Sequence, residues 1–277
     1  MVITRYRDGR IRAYPVRPGA FGRIEPGAVF RPLDGDEVVE SAVGPDLERV
    51  VYTTLNRVVC LTRAGELVWA SEFEPHSDVP HGHRPGCVLS PDGRTVWVYR
   101  PDAMAGHGST DQWVLHDADS GRVVALRDLG TVGHGAGHHV HPVAGSVYLD
   151  IGEGQDGGVV VRGTAGSDGE PEFVTYPWLD RCLIDLAPDE RQFMDHGQQD
   201  VAFHRHPGNG GCESEDEEEW FRHHLVDVGS GAVGAELAVD VANPYALRPL
   251  GDGSLLVDGP DGHPVRRSAG PRSGPRV

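Results

Sequence analysis

Two kinds of turn alternate along this chain, and their spacing constrains the fold more than any other feature. The first leads into an apolar run: GPDLERVVY, SPDGRTVWV, HPVAGSVYL, APDERQFMD and LGDGSLLVD begin at Gly44, Ser90, His141, Ala187 and Leu250, between 46 and 63 residues apart. The second is a glycine-containing hairpin turn, present in RDGRIRAYPV (7–16), RAGELVWASEF (63–73), DSGRVVALRDL (119–129), GSDGEPEFVTY (166–176) and GSGAVGAELAV (229–239). The two sets interleave, five of each. Each turn joins two short runs rich in β-branched and aromatic residues, so one period supplies four strands.

Four strands in roughly 40–50 residues, repeated, are the pattern of a propeller blade. The chain is therefore expected to be all-β: a single β-propeller over 1–277, with five blades of four antiparallel strands. It opens on the second kind of turn, at Asp8-Gly9, and closes on the first, at Asp252-Gly253. One blade is then shared between about 1–16 and 243–268, and the termini close the ring without leaving a free sheet edge. The alternative is six blades, because residues 17–36 (RPGAFGRIEPGAVFRPLDGD) have room for further strands. Residues 207–219 read as a mobile acidic insertion and 269–277 as a disordered tail.

Certain residues give this pattern a family likeness. Gly82-His83 stands ahead of SPDG, QWVLHDADSGRVVAL ends a unit in an Asp followed by a Ser-Gly turn, and HHLVDVGSGAVGAEL repeats that ending with Val226-Asp227. In these stretches the chain resembles WD-repeat β-propellers, although His116 or Val226 stands where the Trp of the Trp-Asp pair is usual. The resemblance implies architecture and no particular activity. It also implies that the d–a and b–c connections open on one face, while the a–b and c–d hairpins turn on the other.

Stepping back seven residues from Ser90 and its counterparts reaches Glu37, His83, His134, Asp180 and Asn243, one polar side chain per blade. The second and third units agree further, both reading Gly-His-x-x-Gly at 82–86 and 133–137. Two imidazoles (His83, His134) and two carboxylates (Glu37, Asp180) meeting on an axis suit a divalent transition metal, whether zinc, iron or copper, with Asn243 or water completing the set. The other reading of the Gly-His pairs is that they order loops within the blade and hold no metal. The b–c connections carry His107 and Asp111 in one unit and Asp150, Glu153 and Asp156 in the next. The longest insertion begins at Asp195-His196. Long loops on one rim of a rigid scaffold are where binding and catalysis concentrate.

Composition narrows the function. Forty-two acidic residues stand against 25 basic ones, a net charge of −17, so phosphate backbones and anionic membrane surfaces are repelled. Every basic residue is arginine, which rules out Schiff-base lysines and a P-loop lysine. The cysteines (Cys60, Cys87, Cys182, Cys212) show no C-x-x-C pairing and the N-terminus has no apolar leader, so cytoplasmic residence is expected. GEGQDG (152–157) runs into GGVVVRG, a strand sequence and not the helix that a nucleotide phosphate would need, so no nucleotide cofactor is expected. ESEDEEE (213–219) reads as a solvated acidic run, and DADSG (117–121) as a turn that lacks the later Glu of a calcium loop.

Two functions stand. One is a monomeric small-molecule enzyme of lyase, hydrolase or isomerase type at the channel mouth. In it a metal polarises substrate or water, His196 moves protons beside Asp195 or Asp150, and Tyr99, His107, Asn243 and Tyr245 contact the substrate. The other is a scaffold whose loop-rich face binds a protein or peptide while the histidines only order loops; a glycan-directed protein is a weaker third reading. Fold does not choose between them.

Overall fold

The computed structural model describes residues 1–17, 19–78, 84–101, 109–133, 135–141, 145–152, 158–165, 170–176, 181–186, 193–197, 223–227, 232–237, 248–250 and 254–268. Among the described residues every regular element is a strand. The chain is all-β and of the β-propeller class, built on four-stranded antiparallel sheets as the turn pattern predicts. It divides into two compact units, Met1–Pro18 with Glu25–Leu179 and Gly19–Ile24 with Asp180–Val277.

In the first unit, β1 (Val2–Arg7), β2 (Arg10–Pro15) and β4 (Ala28–Phe30) form a three-stranded sheet in the order β1-β2-β4. Three four-stranded sheets follow in chain order. They are β5 (Glu40–Val43) to β8 (Leu67–Glu72), β9 (Gly86–Leu89) to β12 (Val123–Asp128), and β13 (Gly135–Val140) to β16 (Pro171–Tyr176). Within them lie β6 (Arg49–Thr53), β7 (Arg57–Thr62), β10 (Thr95–Arg100), β11 (Gln112–Asp117), β14 (Val147–Gly152) and β15 (Gly158–Ala165). Residues 158–165 continue as a strand, as GGVVVRG predicts.

In the second unit, β17 (Arg181–Leu186) pairs β18 (Phe193–Gly197), and β19 (His223–Asp227) pairs β20 (Ala232–Leu237), four strands consecutive in the chain. The last sheet runs β21 (Arg248–Pro249), β22 (Ser254–Asp258), β23 (Pro264–Ser268), β3 (Gly22–Arg23). Among the described residues five groups of four strands are thus present, with β1-β2-β4 in addition.

An N-terminal strand joins the C-terminal sheet, as expected, but it is β3 and not the 1–16 hairpin. Residues 1–16 do not complete the C-terminal sheet: β2 pairs β4, and Ile11, Ala13, Ala28 and Phe30 enter one core with Val43, Val50, Tyr52, Val59 and Leu61. Ile11 and Ala13 are fully buried there, and moving that hairpin elsewhere would expose both. The strand that joins β23 comes from the 17–36 stretch. Ile24 N–H donates to the Pro264 carbonyl at 2.9 Å, Arg23 pairs with Asp261 at 2.8 Å, and Arg266 lies over the Phe21 ring at 5.1 Å. The acidic run 213–219 and the tail 269–277 lie outside the described residues.

Turn chemistry explains the hairpins. At Ser90-Pro91-Asp92-Gly93 the Asp92 carboxylate accepts from the Ser90 hydroxyl at 2.6 Å and the Arg94 amide at 3.1 Å, and Gly93 takes φ 71°. At Asp117–Gly121 the Asp117 carboxylate accepts from the Ser120 amide and hydroxyl, so this aspartate is engaged in a turn, as DADSG suggests. Trp69 covers that turn, its indole N–H donating to the Ala118 carbonyl at 2.9 Å and its ring stacking on His116. A Cβ at Gly121 would come within 2.5 Å of the Trp69 ring, so the turn needs glycine for space as well as for its φ of 72°.

Candidate functional site

Register makes the three four-stranded sheets of the first unit directly comparable. The hairpin-end pairs are Val43 with Val50, Leu89 with Val96 and Val140 with Val147. Counting back along each first strand, Glu40 faces Thr53, Gly86 faces Tyr99 and Gly137 faces Asp150. Glu40, Gly86 and Gly137 are therefore equivalent positions, and β9 lies between β5 and β13. Glu37, His83 and His134 each stand three residues ahead of these positions.

What gathers around Gly86 is a carboxyl and an imidazole. Glu40 Oε2 accepts the Cys87 amide at 3.0 Å. Burial pushes the Glu40 carboxyl up to about 7, while the Cys87 amide pulls the other way. A Cβ at Gly86 would lie 2.3 Å from Glu40 Oε2 and 3.3 Å from His138 Nδ1, so the two side chains approach this strand closely because it has no side chain there. Beside Glu40, its cross-strand partner Thr53 also holds β9, its buried hydroxyl donating to the Pro85 carbonyl at 2.7 Å.

His138 has its protons assigned by its neighbour. The Trp113 indole N–H donates to His138 Nε2 at 3.1 Å, so Nε2 is the bare nitrogen and Nδ1 carries the hydrogen. Nδ1 is sealed from solvent and has no hydrogen-bond partner among the described residues. Burial, with a smaller contribution from neighbouring His139, holds the imidazole down at about 3, so it stays neutral. Both Glu40 and His138 nonetheless keep part of their surface exposed. The result is a carboxyl that exchanges its proton near neutrality beside a fixed, uncharged N–H donor, a combination suited to general acid–base work.

A second polar cluster shapes the connection into β13. Asp111 is fully buried, and its Oδ2 accepts from the Tyr99 hydroxyl at 3.0 Å, the Thr131 hydroxyl at 2.9 Å and the Gly133 amide at 2.6 Å. Its own amide donates to the Thr131 carbonyl at 3.0 Å. Gly133 is the glycine of the second Gly-His pair, so this glycine is tied into the loop by its backbone.

The predicted site residues are distributed as follows. Glu37 is exposed, next to Asp36, which the Tyr52 hydroxyl and Arg57 hold. Asp150 is partly buried on β14 opposite Gly137. Tyr99 is fully buried with its hydroxyl on Asp111, which puts it in the loop clamp. Asp195 and His196 lie on β18, in the other compact unit, paired with Leu183 and Cys182. His83, His107, His134, Asp180, Asn243 and Tyr245 lie outside the described residues. Among the described residues no group of three or more His, Cys, Asp or Glu could hold a metal. Glu40 and His138 escaped sequence reasoning. The available signals were an acid opening the apolar strand ESAV, and a histidine in GHHVH falling next to a glycine equivalent to Gly86.

No family model matches the chain, and no curated protein matches it. Among solved structures it is similar to a chain of the "Mitotic Checkpoint Complex", at 15% identity over 72% of this chain and 56% of that one, with TM-score 0.47. It is also similar to Sqt1 of Saccharomyces cerevisiae, at 11% identity over 60% of this chain and 41% of that one, TM-score 0.42. A third is "Dihydro-heme d1 dehydrogenase NirN in complex with DHE", at 16% identity over 99% of this chain and 56% of that one, TM-score 0.45. The chain spans between 41% and 56% of the length of these three.

Proposed function

We propose that this propeller binds and acts on a small molecule where β5, β9 and β13 run side by side, with Glu40 exchanging the proton and His138 as a neutral donor beside it. One observation carries the reading: a buried, unpartnered imidazole N–H and a carboxyl poised near neutrality meet over a glycine. Such a pair costs stability and is commonly retained for binding or chemistry. Proton abstraction or donation at a carbon or oxygen centre, as in a lyase, hydrolase or isomerase, is the chemistry it supports. Asp111 belongs to the scaffold in this scheme, fixing the loop that leads into the strand bearing His138. A divalent metal on His83, His134, Glu37 and Asp180 remains a separate proposal, tested by elemental analysis of untagged protein and of its His83→Ala/His134→Ala variant.

Thermal-shift screening of the full chain against a metabolite library tests the small-molecule reading. Compounds that raise the Tm of the wild type and not that of Glu40→Ala or His138→Ala are expected. A library in which every stabilising compound acts equally on the variants would overturn it.

A protein-binding scaffold is the second reading, and one observation favours it. The outer strand β12 exposes Val123, Val124 and Leu126, an apolar edge that monomeric proteins usually blunt. A partner whose capture is lost on Val124→Lys/Leu126→Lys, and unaffected at Glu40 and His138, would favour this second reading.

A further inference from the structure

The strand that completes the last sheet is held far more lightly than the sheet itself. β22 and β23 pair over five positions, and Leu255, Leu256 and Val257 of β22 are buried. β3 adds two pairs, Arg23 with Val265 and Gly22 with Arg266, and one bond from the Ile24 amide to the Pro264 carbonyl at 2.9 Å. Phe21 is 60% exposed, and the side chains of the Arg23–Asp261 ion pair are 46% and 48% exposed, where water and salt screen them. Segments with so few buried contacts belong to the low end of the range of local opening free energies. Nor does the departure of β3 break another sheet: β2 ends at Pro15, β4 begins at Ala28, and these two strands pair with each other.

What lies under this segment is specific. Arg266 is buried on β23, its Nε donating to the Ser254 hydroxyl at 2.8 Å and its guanidinium carbon 5.1 Å from the centre of the Phe21 ring. Lifting β3 removes that aromatic cover, takes Arg23 from Asp261 and the Ile24 amide from the Pro264 carbonyl, and turns β23 into an open sheet edge. A strand that takes its place needs the same chemistry in the same order: an aromatic ring for Arg266, a glycine that accepts the φ of 89° found at Gly22, and an arginine for Asp261. We propose that residues 19–24 are a displaceable strap, and that the β23 edge beneath it docks an extended partner segment of the order aromatic-glycine-arginine. This docking site involves neither the Glu40–His138 pair nor β12. The strap is tethered at both ends, so its effective concentration at the edge is of roughly millimolar order. A short free segment therefore competes only at comparable concentration, and a longer partner through contacts beyond these three residues.

Amide hydrogen exchange of the full wild-type chain tests the strap. The Ile24 amide should be protected at least about 100-fold less than the most protected amides of β22, and its rate should stay flat at low denaturant, as local opening requires. Protection equal to that of β22 overturns the strap. The docking probe is the peptide GAFGRIEP, residues 19–26 supplied in trans, at about 10 mM so that it exceeds the effective concentration of the tether. By occupying the vacated edge it should raise the Ile24 exchange rate, and the same peptide carrying Phe21→Ala and Arg23→Glu should not. An unchanged Ile24 rate, or an equal rise with both peptides, overturns the docking site. In the Arg23→Glu chain the strap itself meets Asp261 with a like charge, and fluorescence anisotropy of the labelled wild-type peptide should report affinity about tenfold higher than for the wild-type chain. Equal affinity for the two chains would show that strap and peptide do not compete, and would overturn the displacement. The exchange measurements on the wild type need no variant to fold.

Discussion

Trp113 and His138, on neighbouring sheets, share a single hydrogen bond in which the indole N–H donates to Nε2 at 3.1 Å, their ring centroids 6.0 Å apart. That bond leaves Nε2 as the acceptor and so puts the imidazole hydrogen on Nδ1.

Replacing the indole tests this dependence. Trp113 is fully buried, packed at 4.6 Å against Trp97, so Trp113→Phe both empties volume and removes a donor. A loss of about 1–3 kcal/mol in unfolding free energy is expected from denaturant titration. The more specific outcome is spectroscopic: the His138 15N signals should change from a single Nδ1–H tautomer to a mixture. An unchanged tautomer in the variant would show that some other group sets it.

Glu40 and His138 make opposite contributions to the pH dependence of stability. The folded Glu40 carboxyl titrates near 7 against an ordinary 4.5, so between these values the folded chain binds more protons than the unfolded one. Its contribution falls as pH rises through that window, by at most about 3 kcal/mol at 1.36 kcal/mol per unit. Glu40→Gln removes this loss: it should match the wild type near pH 4.5 and exceed it in stability above pH 7.5. His138 is held near 3 against an ordinary 6.5, so its contribution is complete above 6.5 and is lost as pH falls toward 3. His138→Gln should therefore gain stability relative to wild type as the solution is acidified. Unfolding free energies of the three proteins from pH 4 to 8.5 would reveal the two opposed slopes, which oppose each other between 4.5 and 6.5 in the wild type.

The Asp111 clamp predicts a graded series. Tyr99→Phe removes one of three bonds to Oδ2 and should cost about 1 kcal/mol. Asp111→Ala strands the buried Tyr99, Thr131 and Gly133 donors together and should cost about 3 kcal/mol or more. In a double-mutant cycle the Tyr99→Phe change should become nearly silent once Asp111 is gone. Full additivity would mean that the hydroxyl draws its stabilisation from elsewhere.

Much of this fold was legible because turns are local. Asp8-Gly9, Ser90–Gly93 and Asp117–Gly121 form their turns from neighbouring residues, so their spacing alone locates the strands. The partner of β23 was not legible: Gly22-Arg23 is two residues long and carries no apolar alternation, and only the contacts of Phe21, Arg23 and Ile24 with the far end of the chain place it. The site shows the same division. The equivalence of Glu40, Gly86 and Gly137 follows from the spacing of the repeated turns. Glu40 and His138 become a pair through Gly86 and Trp113, two residues on a third sheet, which no spacing within one repeat can indicate.

Two glycines separate strain from crowding. Gly9 and Gly121 take similar φ values, 67° and 72°, but a Cβ at Gly9 meets nothing within 4 Å while one at Gly121 runs into Trp69. Gly9→Ala should cost about 1 kcal/mol from backbone conformation alone. Gly121→Ala should cost this plus about 1–3 kcal/mol of overpacking, measured by thermal or denaturant unfolding. Equal effects would mean that Trp69 yields at no cost.

The pairing of β3 with β23 also has a consequence in time. Arg23 and Asp261, joined by an ion pair, are separated by 238 residues, so during synthesis the outermost strand of the last sheet leaves the ribosome before nearly everything it will join. Until Pro264 emerges, the carbonyl that Ile24 will bond does not yet exist outside the ribosome. This sheet is therefore completed only after Pro264 has emerged, and a nascent chain halted before Pro264 would leave Gly22-Arg23 without its mate.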